Sequence, residues 1–121
     1  MKQFGFGPRF RLKDRRAFER AFARRCSAAD ANMVVYVHRN AAGHPRLGVS
    51  VGRKHGGAVR RNCIKRLLRE AFRLGRDGLP RDFDLVCVPR VRDRVSLAGY
   101  QRSMTKLAAQ AAARWGKQFD E

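Results

Sequence analysis

The sequence predicts a small α+β sandwich, helices laid on a short mixed sheet, and three observations predict it. Strand and helix periodicities follow one another as helix, two or more strands, helix, strand, helix. The stretch FDLVCVP (83–89) is almost continuously apolar, the pattern of a strand buried on both faces. A chain of 121 residues with 44% hydrophobic content suits one domain over residues 1–121 with a modest core, not a disordered basic chain.

The first helix is expected to begin near Asp14, whose carboxylate can cap free N–H groups, with Ala17, Phe18, Ala21 and Phe22 as its apolar stripe. In NMVVYVH, Met33, Val35 and Val37 fall on one face of a strand, and Val34, Tyr36 and His38 on the other. The turn RNAAGHP is expected to return the chain as a hairpin. The returning strand, RLGVSVG, sets Leu47, Val49 and Val51 against a bare face of Gly48, Ser50 and Gly52. A bare face suggests that something comes close to that backbone, either a covering helix or a bound ligand.

A second helix should run from about Ala58 to Arg73, burying Ile64, Leu67, Leu68 and Ala71 and leaving Arg61, Asn62, Lys65, Arg66, Arg69 and Arg73 on its solvated flank. Gly75, Gly78 and Pro80 break it. After the buried strand, Ser96 is a candidate N-cap for a last helix with Leu97, Tyr100, Met104, Leu107, Ala111 and Trp115 on one stripe. These are packing residues, and part of one sheet face is left uncovered.

Charge carries the functional signal. Lys and Arg number 28 against 10 Asp and Glu, a net charge of +18, most simply balanced by a polyanionic partner. Nearly all of it lies in residues 2–25 and 46–76, and the remainder of the chain is close to neutral. RRNCIKRLLRE (60–70) alone holds five cations and one carboxylate, whereas an ordinary surface helix mixes signs to gain i,i+4 pairs. A like-charged ridge on a rigid helix suits a nucleic-acid backbone. The alternative for Arg9–Arg25, a transit peptide or membrane-surface helix, is weakened by Asp14, Glu19 and the second basic cluster downstream.

No catalytic constellation is apparent. His38, His44 and His55 lie apart, the acids are scattered, and Cys26, Cys63 and Cys87 lack metal-ligand spacing, as in a protein of a reducing compartment. GVSVGRKHGGAV fails the nucleotide-binding loop pattern, although backbone N–H groups at a helix start beside Arg53 and Lys54 suit a phosphate. Phe18, Phe22 and Tyr36 could line a groove for unstacked bases, or the two Phe residues could be core.

The run RLGVSVGRKHGGAVRRNCIKRLLREAFR (46–73) resembles the signature of the protein subunit of bacterial ribonuclease P, and a looser likeness extends from RLKDRRAFERAF to FDLVCVPR. Its core reads Gly-x-Ala-Val-x-Arg-Asn-x-x-Lys-Arg and ends here at Arg66. The resemblance implies a left-handed β-α-β crossover, which periodicity cannot supply. It implies a cytoplasmic ribonucleoprotein in which ribonuclease P RNA carries catalysis with Mg²⁺, while the protein, lacking an active site or metal of its own, helps bind the 5′ leader of precursor tRNA. No membrane and no obligate protein partner are implied.

Carried onto this sequence, the resemblance puts Phe18, Phe22 and Tyr36 in a central leader-binding cleft with Lys13 nearby. Arg61, Asn62, Lys65, Arg66 and Arg69 match its arginine-rich motif, with Arg60, Arg53 and Lys54 as further basic positions. Cys63 stands where the motif commonly has arginine, a contact that Arg60 could take over. The competing reading is a ribosomal or general RNA-binding protein, which would share charge and fold class. A protein-only nuclease and a DNA-binding protein are disfavoured because the sequence shows, respectively, no carboxylate cluster and no groove-reading helix motif.

Overall fold

An apolar strand buried on both faces needs neighbours on both sides, and in the structure, a computed structural model describing residues 7–119, the run 83–89 has them. It forms β4 (Phe83–Pro89), flanked by β2 (Met33–Arg39) and β3 (Arg46–Val49). A short β1 (Ser27–Ala29) completes a four-stranded sheet in the order β1-β2-β4-β3. β2 runs antiparallel to β1 and β4, and β3 parallel to β4, so the sheet is mixed. Helix α1 (Arg15–Arg24) precedes β1, α2 (Ala58–Gly75) carries the crossover from β3 to β4, and α3 (Leu97–Phe119) follows.

The expected hairpin between β2 and β3 does not form, because β4 lies between them. β4 gains burial on both faces only in the sheet interior. The β2–β3 connection is therefore fastened to the start of β4 instead of making a tight turn. The Asn40 amide Nδ2 donates to Asp84 Oδ1 (2.7 Å) and its backbone N–H to Asp82 O (2.7 Å). Gly43, at φ +80°, supplies the left-handed residue of the connection. Arg46 on β3 then forks onto Asp84, with Nε to Oδ1 at 2.7 Å and Nη2 to Oδ2 at 3.0 Å.

Alternation puts Met33, Val35, Val37, Leu47, Leu85 and Cys87 on one face, where α2 contributes Ile64, Leu68, Ala71 and Phe72 and α3 contributes Tyr100, Met104, Leu107, Ala111 and Trp115. On the other face Val86 packs with Leu12, Ala17 and Ala21 of the N-terminal region, and Phe18, Phe22, Tyr36 and Val88 surround them half-buried. A ten-residue helix cannot cover that face, so part of it stays open, as the sequence predicts. Both predicted caps are made: Arg16 N–H donates to the Asp14 carboxylate (2.9 Å) and Gly99 N–H to Ser96 Oγ (3.0 Å). Cys26 and Cys87 are buried and Cys63 is exposed, all three as free thiols. Among the described residues no helix is long and apolar enough to cross a membrane.

Candidate nucleic-acid interface

Helix α2 turns its apolar stripe to α3 and the sheet, and the 3.6-residue period then sorts its cations by flank. Lys65, Arg69, Asn62, Arg73 and Arg66 follow one another around one flank, whereas Arg60, Cys63, Leu67 and Glu70 lie on the other. Asn62 and Arg66 are exposed, and Arg61, Lys65 and Arg69 are half-buried through their stems. Two cations are tied to nearby backbone: Arg60 Nη2 donates to Arg92 O at 2.7 Å, and Arg61 Nε to Gly56 O at 3.2 Å. Arg73 pairs with the ridge's one carboxylate, its Nε 2.9 Å from Glu70 Oε1, and that pairing holds the Glu70 carboxyl below its ordinary range.

Arg11, Asn62, Arg66, Arg69 and Glu70 line an open groove of about 440 Å³. Sequence reasoning missed Arg11. Its placement follows from a 3-10 turn (Pro8–Phe10) that leads into an extended bridge: Phe10 and Leu12 are buried while Arg9 and Arg11 are exposed. This segment is stitched parallel to β3 by the Arg11–Leu47 bridge and by Leu12 N–H donating to Leu47 O (2.9 Å). Burial, and then the facing Arg11, pull the Arg69 guanidinium below its ordinary pKa. Like charges held together in this way suit an anion that neither residue supplies.

The three aromatics singled out in the sequence come together on the open sheet face. Phe22 meets Tyr36 edge to face, centroids 4.8 Å apart at 77°. The Phe18 ring lies on Gly48, which explains the bare face of β3: the covering group is a ring from α1. All three rings are half-buried, so each is partly packed and partly presented to the surface. Lys13 is exposed immediately before the α1 cap. Because α1 and α2 lie on opposite faces, edge strand β3 separates the cleft from the ridge, with Phe18 against its Gly48 on one side and α2 over its Leu47 on the other.

Arg53 and Lys54 are exposed on a single 3-10 turn (Arg53–His55) that leads through Gly56, at φ +120°, to the uncapped start of α2. His55, on the same turn, is buried. Burial lowers its pKa, a hydrogen bond to the Pro89 backbone opposes this, and Lys54 and Arg60 add to the lowering. The other two histidines sit edge-on to aromatic rings at 4.9 Å, His38 to Trp115 and His44 to Phe10. Among the described residues no three His, Cys, Asp or Glu side chains are grouped to hold a metal ion.

The family model described as Ribonuclease P matches residues 6–112. The ribonuclease P protein component of Thermotoga maritima is 41% identical over 85 residues, covering 70% of this chain and 73% of that protein. That of Pelotomaculum thermopropionicum is 40% identical over 102 residues, covering 83% and 90%. Among solved structures, the T. maritima RNase P protein superposes with a TM-score of 0.75 at 34% identity, over 83% of this chain and 96% of that one. The Staphylococcus aureus RNase P protein gives 0.71 at 31% identity, over 85% and 94%.

Proposed function

Because the chain belongs to the bacterial ribonuclease P protein family, we propose that it acts in tRNA 5′-end processing by binding ribonuclease P RNA along α2 and the 5′ leader of precursor tRNA in the aromatic cleft. The observation that carries this reading is the groove in which Arg66 and Arg69 face Arg11, with Glu70 as its one carboxylate and that carboxylate already paired to Arg73. Such a surface gains affinity by neutralising phosphates and releasing their counterions. The cleft adds what a phosphate-binding ridge lacks, ring faces on which unstacked bases can lie.

In this reading the RNA subunit performs the hydrolysis and holds the Mg²⁺ that the reaction needs, and the protein contributes positioning alone. That division rests on the resemblance. Arg61, Asn62, Lys65, Arg66, Arg69 and Arg11 would meet RNA phosphates, with Arg53 and Lys54 at the helix start, while Phe18, Phe22, Tyr36 and Lys13 would receive the leader. Arg60, with one N–H on Arg92 O of the β4–α3 loop, would add a further cation to this surface.

The test is cleavage of a precursor tRNA at low Mg²⁺ by the protein alone, by a bacterial ribonuclease P RNA alone, and by the two together. Cleavage that appears only in the mixture supports the reading. RNA binding with no gain from mixing would return the chain to a general RNA-binding role, and cleavage by the protein alone would place an active site within it.

A further inference from the structure

Beyond the C-terminal end of α2, three stretches distant in sequence close around a second concavity. Arg9 and Phe10 come from the N-terminal segment, Gly43, His44 and Pro45 from the β2–β3 connection, and Arg76, Asp77 and Arg81 from the turn after α2; together they line about 350 Å³. None of them belongs to the ridge or the cleft. The Phe10 ring organises the cations, with the Arg76 guanidinium 4.0 Å and the Arg9 guanidinium 4.7 Å from its centroid.

Arg76 is buried, and burial lowers its pKa; Asp77 opposes that shift, while Arg9 and Arg73 add to it. Three guanidinium groups therefore share the concavity with one carboxylate, Asp77. The guanidinium groups thus outnumber the pocket's one carboxylate, and the planar fork of a guanidinium matches phosphate oxygens.

We propose that this pocket binds a backbone phosphate of an RNA, anchoring the strand past the far end of α2. The proposal rests on the RNA-binding reading above. An RNA is the occupant because the pocket lies beyond the basic groove at the end of α2: Arg11 lines the groove with Arg69, and two residues earlier in the chain Arg9 lines the pocket with Arg76. From residue 69 to residue 76 a helix rises about 10 Å, a distance one strand can span while touching both sites.

The experiment titrates the full chain with a bacterial ribonuclease P RNA and, separately, with a precursor tRNA across a series of salt concentrations. It compares the unaltered protein with an Arg9→Ala/Arg81→Ala double variant and with Arg66→Ala. Arg9 and Arg81 are exposed, so their removal leaves the core intact. The double variant is expected to reduce the slope of log affinity against log salt by about one or two for whichever RNA enters the pocket, with its thermal midpoint unchanged. Unchanged slopes with both RNAs, while Arg66→Ala lowers one, would overturn the pocket and leave the ridge standing. A slope reduced by the double variant but not by Arg66→Ala would uphold the pocket and remove the ridge. Failure of the unaltered protein to bind either RNA would overturn both.

Discussion

The ring of Phe18 occupies the space that a side chain at residue 48 would need: a Cβ on Gly48 would lie 2.5 Å from Phe18 Cζ and 2.9 Å from Cε1. Gly48→Ala must therefore push the ring off β3, and because Phe18 is half-buried it has somewhere to go. The expected cost is about 1–3 kcal/mol, as for other overpacked sites. In a Phe18→Ala background the same substitution should cost markedly less, with a coupling of at least about 0.5 kcal/mol. Urea unfolding of the four proteins in this cycle checks the contact, and additive losses would mean that the ring and the glycine do not depend on each other.

Phe22 and Tyr36 test the cleft directly, since the two half-buried rings meet each other edge to face on the open sheet face. Replacing either with Ala should weaken binding of a leader-bearing precursor tRNA by about 1–3 kcal/mol, if each ring stacks on a base, and leave mature tRNA unaffected. Tyr36→Phe, which keeps the ring, should bind nearly as well as the parent. Equal losses for precursor and mature tRNA would show that the cleft does not read the leader.

What the sequence disclosed and what it hid follow from the range of the forces involved. The caps at Asp14 and Ser96, the α2 stripe and the buried run 83–89 are local patterns, and each appears in the fold where its pattern lies. The expected β2–β3 hairpin failed because strand order is decided between segments far apart: β4, 44 residues after its partner Asn40 at the Asp84 contact, takes the interior position. The ridge was legible as charge at helical spacing, but Arg11 was not, because its place opposite Arg69 comes from a bridge to Leu47 across the chain. Likewise the bare face of β3 was visible, while its cover, Phe18, could be identified only in three dimensions.

The buried imidazole of His55 predicts a pH dependence of stability. Burial holds its folded pKa below the ordinary 6.5, so the unfolded chain takes up a proton first as pH falls. Stability should be complete above about pH 6.5 and decline as the pH drops through that value toward the folded pKa. Lys54 and Arg60 sharpen the effect by opposing the charge, and the Pro89 backbone hydrogen bond softens it. Urea midpoints between pH 5 and 8 should slope upward in the parent and flatten in that window for His55→Gln; an equal slope in both would locate the titration elsewhere.

Cys63 offers the sharpest test of which α2 flank meets RNA. It is an exposed thiol at a position where, by the resemblance, the family motif commonly carries arginine, and the neighbouring Arg60, exposed with one N–H on Arg92 O at 2.7 Å, keeps its charge and its other donors for a phosphate. Cys63→Arg sets a new charge beside Arg60 and Arg66 at i,i±3 spacing, which should cost the free protein a few tenths of a kcal/mol. If this flank faces phosphates, the variant should bind ribonuclease P RNA more tightly at low salt, with a salt slope steeper by about one. The unaltered thiol gives an independent reading. In the folded protein iodoacetamide should label Cys63 before Cys26 or Cys87, which are buried, the latter with its pKa pushed up to about 12. Bound RNA should slow the labelling of Cys63. Unaltered labelling in the complex, together with an unaltered salt slope in Cys63→Arg, would assign RNA contact to the Lys65, Arg69 and Arg66 flank alone.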